Sequence, residues 1–137
     1  WFFGGGIKYH KFNFLFSRDI NGRSKGSKAS LRYTAMYPLG EKIFTISSVG
    51  LEYFNRDFAE YYYGVKSIEA NANRAEYHPN AYVLPVISFF PGYKLSEEIN
   101  VLIGTSLKTL PKPVRASPTT NGAWLEGSMI FGATWKF

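Results

Sequence analysis

The sequence predicts an all-β chain folded as an antiparallel up-and-down transmembrane β-barrel, and three observations carry that prediction. The stretch Leu125 to Phe137 alternates without a break: Leu125, Gly127, Met129, Phe131, Ala133, Trp135 and Phe137 share one face, and Glu126, Ser128, Ile130, Gly132, Thr134 and Lys136 the other. A terminal ring buries little in a soluble domain, whereas a membrane strand sets every second residue against lipid and its aromatics at the water boundary. Aromatic residues make up 18% of the chain while the mean hydropathy is only −0.17, as expected of strands apolar on one side and polar on the other. The connections between strands run long, short, long, short, long, as they do where long loops lie outside a bacterial outer membrane and short turns lie in the periplasm.

In chain order, Trp1-Phe2-Phe3-Gly4-Gly5-Gly6 reads as the tail of a first element. Ile7 to Phe16 reads as one strand, with Phe12, Phe14 and Phe16 on one side and Tyr9, Lys11 and Asn13 on the other. A polar, glycine-punctuated loop follows from Ser17 to Lys28. Ala29 to Tyr37 alternates most cleanly. Ala29, Leu31, Tyr33, Ala35 and Tyr37 face outward, and Ser30, Arg32, Thr34 and Met36 face a wet lumen, since a mid-strand arginine costs about 2 to 4 kcal/mol against lipid.

Pro38 to Glu41 is a short turn, and Ile43 to Tyr53 returns as the next strand. The longest connection, Asn55 to Asn80, has helical potential at Ser67 to Ala75; its Tyr61-Tyr62-Tyr63 run is expected in the outer aromatic girdle. Ala81 to Tyr93 is a long apolar strand carrying Pro85 and Pro91, which places it at an edge or makes it bulged or locally unpaired. After the turn Leu95 to Glu98, Ile99 to Leu107 alternates, and a basic, proline-rich loop from Lys108 to Gly122 leads into the last strand. This makes six strands, or seven with the aromatic start, where closed bacterial barrels begin at about eight, so the 137 residues are expected to form one domain that is part of a barrel.

No run of eighteen apolar residues exists, so neither a membrane helix nor a secretory leader is present, and a leader is expected to have been removed or to lie outside the sequence. Absence of cysteine excludes disulfides and thiolate metal sites and suits passage through an oxidising periplasm. The net charge of +6 is scattered over polar segments without an arginine-rich helix or finger spacing, which argues against nucleic acid; in a barrel it sits in loops and lumen, as solvated loop charge in the plainer reading or facing the phosphates of lipopolysaccharide.

Arg32, Lys11, Glu52, Glu126 and Lys136 are the candidate lumen charges by parity. Of the histidines, His10 and His78, the latter follows Glu76-Tyr77, and Ser67 or Ser117 is the nearest candidate nucleophile, but no nucleophile elbow accompanies them. Metal-ligand spacing is absent, and Asp19, Asp57 and Glu60 do not make a calcium loop; neither a catalytic residue nor a cofactor is assigned.

Tyr62-Tyr63-Gly64-Val65, followed by Glu69-Ala70, Tyr77 and Pro79, resembles the middle of the MipA/OmpV family of outer-membrane proteins. Tyr93-Lys94-Leu95, Ala116-Ser117-Pro118 and the terminal Phe131 to Phe137 continue the resemblance in the family's order, most clearly over residues 55 to 137. The resemblance implies a bacterial outer-membrane barrel, not an enzyme, that acts as a scaffold between a murein transglycosylase and a murein synthase through its periplasmic turns. Separately, the alternation that ends in Phe137 resembles the C-terminal recognition strand of outer-membrane barrels in general, which makes Met129, Phe131, Trp135 and Phe137 the expected signal read by the barrel assembly machinery. The alternatives are a small-solute pore, a barrel enzyme acting on lipid A and a soluble lipocalin-like binder with its apolar faces turned inward.

Overall fold

The computed structural model describes residues 1–136, which form one antiparallel sheet of seven strands in chain order. These are β1 (Phe2–Tyr9), β2 (Phe12–Asp19), β3 (Ser27–Pro38), β4 (Ile43–Phe54), β5 (Tyr82–Lys94), β6 (Ile99–Thr109) and β7 (Leu125–Trp135). Every strand pairs with its sequence neighbours, so the fold is an up-and-down meander. It curls around a cavity, yet β1 and β7 are its two edges and the barrel is not closed.

Directly paired residues share a face, so the register fixes inside and outside. One inward rung runs Thr34, Ser48, Ser88, Ser106, Ser128, and the Ser88 and Ser106 hydroxyls share a hydrogen bond of 3.0 Å. The outward rung beside it, Tyr33, Val49, Ile87, Leu107, is apolar throughout. In β5 the inward residues Tyr82, Leu84, Val86 and Ser88 are buried, while outward Val83, Ile87 and Phe89 are exposed. A soluble lipocalin has the opposite arrangement, with its apolar side chains inside. On β7, Met129 and Phe131 are 78% and 75% exposed on the outer face, as the alternation predicts for lipid-facing residues. Phe137 lies outside the described residues.

The stretch read as one strand from Ile7 to Phe16 is two. Tyr9 pairs with Phe12 across a two-residue turn, His10-Lys11, with His10 in the left-handed region at φ 51°. No glycine, proline or asparagine marks that turn, so the sequence does not announce it. The fold moves Tyr9 to the outer face beside Phe12 and adds a third short turn to the end that already holds Leu39 to Lys42 and Leu95 to Glu98. All three long loops lie at the other end.

Strand β5 is central, not an edge, and the prolines are accommodated by gaps in one ladder. Lys94 N donates to Lys42 O, so even-numbered amides of β5 face β4, and the nitrogens of Pro85 and Pro91 face β6. The β5–β6 pairing begins only at Val86 and skips Phe90 and Pro91, whereas the β4–β5 pairing runs unbroken through both prolines. Near the turn end the lumen is narrowed by rings lying over glycines. A Cβ on Gly92 or Gly104 would sit 2.3 Å from the Phe44 ring or 2.2 Å from that of Phe90.

The helix of the long loop lies earlier than expected. Helix α1 (Arg56–Tyr63) starts at Asn55, whose Oδ1 accepts from Phe58 N at 3.0 Å and from Ser27 N at 2.8 Å, capping the helix and fixing it to β3. Only Ser67–Glu69 of the expected helical stretch is coiled, as a single 3-10 turn. Asparagine and arginine there close a small turn through the Asn71–Arg74 bridge instead. A short helix α2 (Lys112–Arg115) occupies the last loop.

Candidate functional site: the lumen and its lid

The sheet encloses a cavity of about 1050 Å³ that opens toward the long loops. Beneath its mouth, the Glu52 carboxylate bridges Arg32, with which it makes a short ion pair, and Lys108, whose Nζ lies 3.1 Å away. Lys108 pairs in register with Glu126, bringing three of the charges assigned to the lumen by parity, Arg32, Glu52 and Glu126, to one cluster. Lys108 itself was read as the first residue of a loop. Extending the β6 alternation by one rung would have found it. Lys136 continues the inward parity of β7 at the turn end, where its amide donates to Glu98 O at 2.9 Å. Lys11 does not enter the lumen; it sits in the β1–β2 turn, with Nζ 5.9 Å and 5.8 Å from the Tyr33 and Tyr37 ring centroids on the outer side.

The mouth is lined by aromatics. Phe54 stacks on Tyr82 at 4.9 Å, Phe58 of α1 lies 4.6 Å from Phe54, and Tyr62 lies 4.4 Å from Phe58. Tyr62 and Tyr63 line the cavity, so the tyrosine run belongs to a lid across the lumen and not to the outer girdle. Helical spacing explains this: α1 crosses the opening and turns Phe58 and Tyr63 onto the Phe54–Tyr82 stack, with Tyr62 one turn on from Phe58 and against it. Rings do lie on the outer face at the turn ends of β3, β5 and β7, at Tyr37, Tyr93 and Trp135.

The residues of the Tyr62-Tyr63-Gly64-Val65 and Ser117-Pro118 motifs meet in this lid. Ser117 is 2% exposed, and its Oγ donates to Tyr63 O at 2.6 Å. Val65 is fully buried and bridges Tyr77, whose hydroxyl donates to Pro113 O at 2.8 Å. Gly64 stands where a Cβ would come within 2.4 Å of Glu60 O, so the chain leaves α1 at that point only without a side chain. Glu69 accepts from Lys66 N at 3.2 Å and closes the 3-10 turn that ends at Ala70, while Pro118 continues the chain from Ser117.

On the outer surface of the lid, His78 Nε2 lies 2.8 Å from Glu76, and Nδ1 lies 3.2 Å from both oxygens of Glu60. Hydrogen bonding by Glu76 and then Glu60 holds His78 above the usual imidazole range, and His78, with Ser67, holds Glu76 below the usual carboxylate range. Ser67 Oγ donates to Glu76 at 2.7 Å. The carboxylate therefore stands between the hydroxyl and the imidazole, an order in which His78 does not take the serine's proton. Ser117, the other candidate nucleophile, is committed to Tyr63. Among the described residues no His, Asp or Glu cluster has metal-binding geometry.

A family model described as MltA-interacting protein MipA matches residues 1–137. Outer membrane protein OmpV of Vibrio cholerae serotype O1 is 33% identical over 121 residues, covering 84% of this chain and 45% of that protein. Outer membrane protein Omp26La of Vibrio anguillarum is 32% identical over 121 residues with the same coverage, and the 24 kDa outer membrane protein of Pasteurella multocida is 25% identical over 104 residues, 74% of this chain and 40% of that one. The chain thus spans less than half the length of these curated relatives. No solved structure matches.

Proposed function

The chain belongs to the MipA family of outer-membrane proteins, and from that membership we propose that this β-barrel protein of the bacterial outer membrane serves as a non-catalytic scaffold. Its partners on this reading are a murein transglycosylase, as the family's name suggests, and a murein synthase. The observation that carries the reading is the short-turn end. In an outer-membrane barrel that end faces the periplasm, where murein enzymes work. Leu39 and Leu95, 62% and 59% exposed, project from the two longer turns there and are flanked by Glu41, Lys42, Glu97 and Glu98. Apolar anchors inside a charged rim are the composition of a protein-binding patch.

The test is co-purification of an MltA-type transglycosylase with the full-length protein from detergent-solubilised outer membranes. Leu39→Asp with Leu95→Asp is expected to abolish recovery while leaving the barrel in the membrane; unchanged recovery would refute the assignment of this surface. A pore is the second reading, favoured by the size of the cavity. The Arg32–Glu52–Lys108 cluster and the Phe44 and Phe90 rings favour a filled lumen instead, for which planar-bilayer recordings should show no steady conductance.

A further inference from the structure

We propose that the mouth of the lumen is a binding site for a small anionic molecule with a flat, ring-bearing body, its charged head held by Lys28 and Ser17. The cavity wall carries the cations Lys8, Lys28, Arg32 and Lys108 against the carboxylates Glu52 and Glu126, an excess of two positive charges. Glu52 is taken by Arg32 and Lys108 together, and Glu126 is the register partner of Lys108. Lys28 has no carboxylate partner among the described residues; its Nζ lies 4.8 Å from the Phe2 ring centroid. Lys8 faces Asn13 across the β1–β2 ladder.

Lys28 stands on an inward rung that runs Gly4, Ser17, Lys28, Phe54, Tyr82. Ser17 is buried at 7% exposure, lines the cavity, and its Oγ has no hydrogen-bond partner. A buried hydroxyl without a partner is costly, and the cost is removed by an acceptor entering from the cavity. Asp19, the nearest inward carboxylate on the same strand, does not fill that role: its oxygens already accept from Asn21 N, Ser24 N and Ser24 Oγ at 3.0, 2.7 and 2.9 Å.

The shape of the wall fixes the rest of the ligand. Between Phe2 and Lys8 the inward positions of β1 are Gly4 and Gly6, so β1 itself sends no side chain into the cavity there, and Leu15 of β2 adds an apolar surface beside Gly6. Opposite it stand Phe54, Phe58, Tyr62, Tyr63 and Tyr82. A planar apolar body fits between the glycine stretch of β1 with Leu15 beside it and the aromatic wall, and its anionic head then meets the ammonium that lacks a carboxylate partner and the unpaired hydroxyl.

The test is calorimetric titration of the full-length protein in a neutral detergent with 2-naphthyl phosphate and, separately, with uncharged 2-naphthol. The phosphate is expected to bind and the naphthol to bind about tenfold more weakly or worse. Lys28→Gln should weaken phosphate binding about tenfold, Lys28→Arg should retain it, and Lys42→Gln at the far end of the barrel should change nothing. Equal binding of the two compounds, absence of binding, or a Lys28→Gln protein indistinguishable from wild type would overturn the proposal. Each variant is first checked for wild-type heat-modifiable migration; if Lys28→Gln fails to fold, the wild-type comparison of the two compounds still decides. None of these readings depends on the periplasmic partners.

Discussion

Ser117 Oγ donates to Tyr63 O at 2.6 Å across 54 residues of sequence, and this bond joins the last long loop to the end of α1. Thr119 N and its hydroxyl gather on the same Ser117 oxygen, so one buried side chain ties two loops over the lumen. Ser117→Ala leaves the Tyr63 carbonyl without its donor in a closed site, which costs about 1 to 3 kcal/mol. Limited proteolysis should show faster cleavage in both loops, while the strands keep their resistance. Cleavage confined to the Ser117 loop would mean that the bond does not couple them.

The clasp of His78 with Glu76 and Glu60 makes the lid sensitive to pH. The folded pKa of His78 is raised above its ordinary 6.5, so its contribution is complete below 6.5 and is lost as pH rises through the folded value. Glu76 is lowered from 4.5, so its contribution is complete above 4.5 and is lost as pH falls through its folded value. The loop should therefore be best protected from amide exchange in mild acid between those ordinary values and loosen toward alkaline pH. His78→Gln should flatten the alkaline side of that profile; a wild-type profile without curvature would contradict the clasp.

Removing the charge of Glu52 leaves Arg32 and Lys108 facing each other. Breaking a fully buried pair costs about 3 to 5 kcal/mol. The cations here are partly exposed, which reduces the expected cost of Glu52→Gln to about 1 to 2 kcal/mol. Urea unfolding in vesicles should show it, and adding Arg32→Gln should recover part of the loss, since the second change removes the repulsion. Strictly additive losses would indicate that the three side chains do not act as a cluster.

What the sequence made legible was parity. The alternation at Ala29 to Tyr37 and Leu125 to Trp135 is enough to sort inside from outside, because a period of two survives wherever lipid and water lie on opposite faces. It failed where local chemistry was silent or ambiguous. His10-Lys11 turns the chain with none of the usual turn residues, and the tyrosine run, expected in the girdle, ends a helix instead. Of the three accommodations open to Pro85 and Pro91, an edge, a bulge or local unpairing, the fold takes the last, with gaps in a single ladder, and which ladder depends on the neighbour each amide faces. The lid was named only in pieces: nothing in the spacing of Tyr63 and Ser117 says that they touch.

The assignment of inside and outside has a sharp test in two adjacent residues. Ser30 faces the lumen, lines the cavity and is the register partner of Glu52; Leu31 faces outward, exposed, with Leu51 as its partner. Ser30→Lys places an ammonium beside an existing carboxylate in a wet space, so the expected change in stability is small, below about 1 kcal/mol. Leu31→Lys places the same ammonium against hydrocarbon, at a cost of about 2 to 4 kcal/mol near the midplane. Folding into vesicles followed by urea titration measures both. If the order reverses, the apolar faces turn inward and the protein is a soluble barrel; if Leu31→Lys alone is costly, the strand crosses lipid with the parity described.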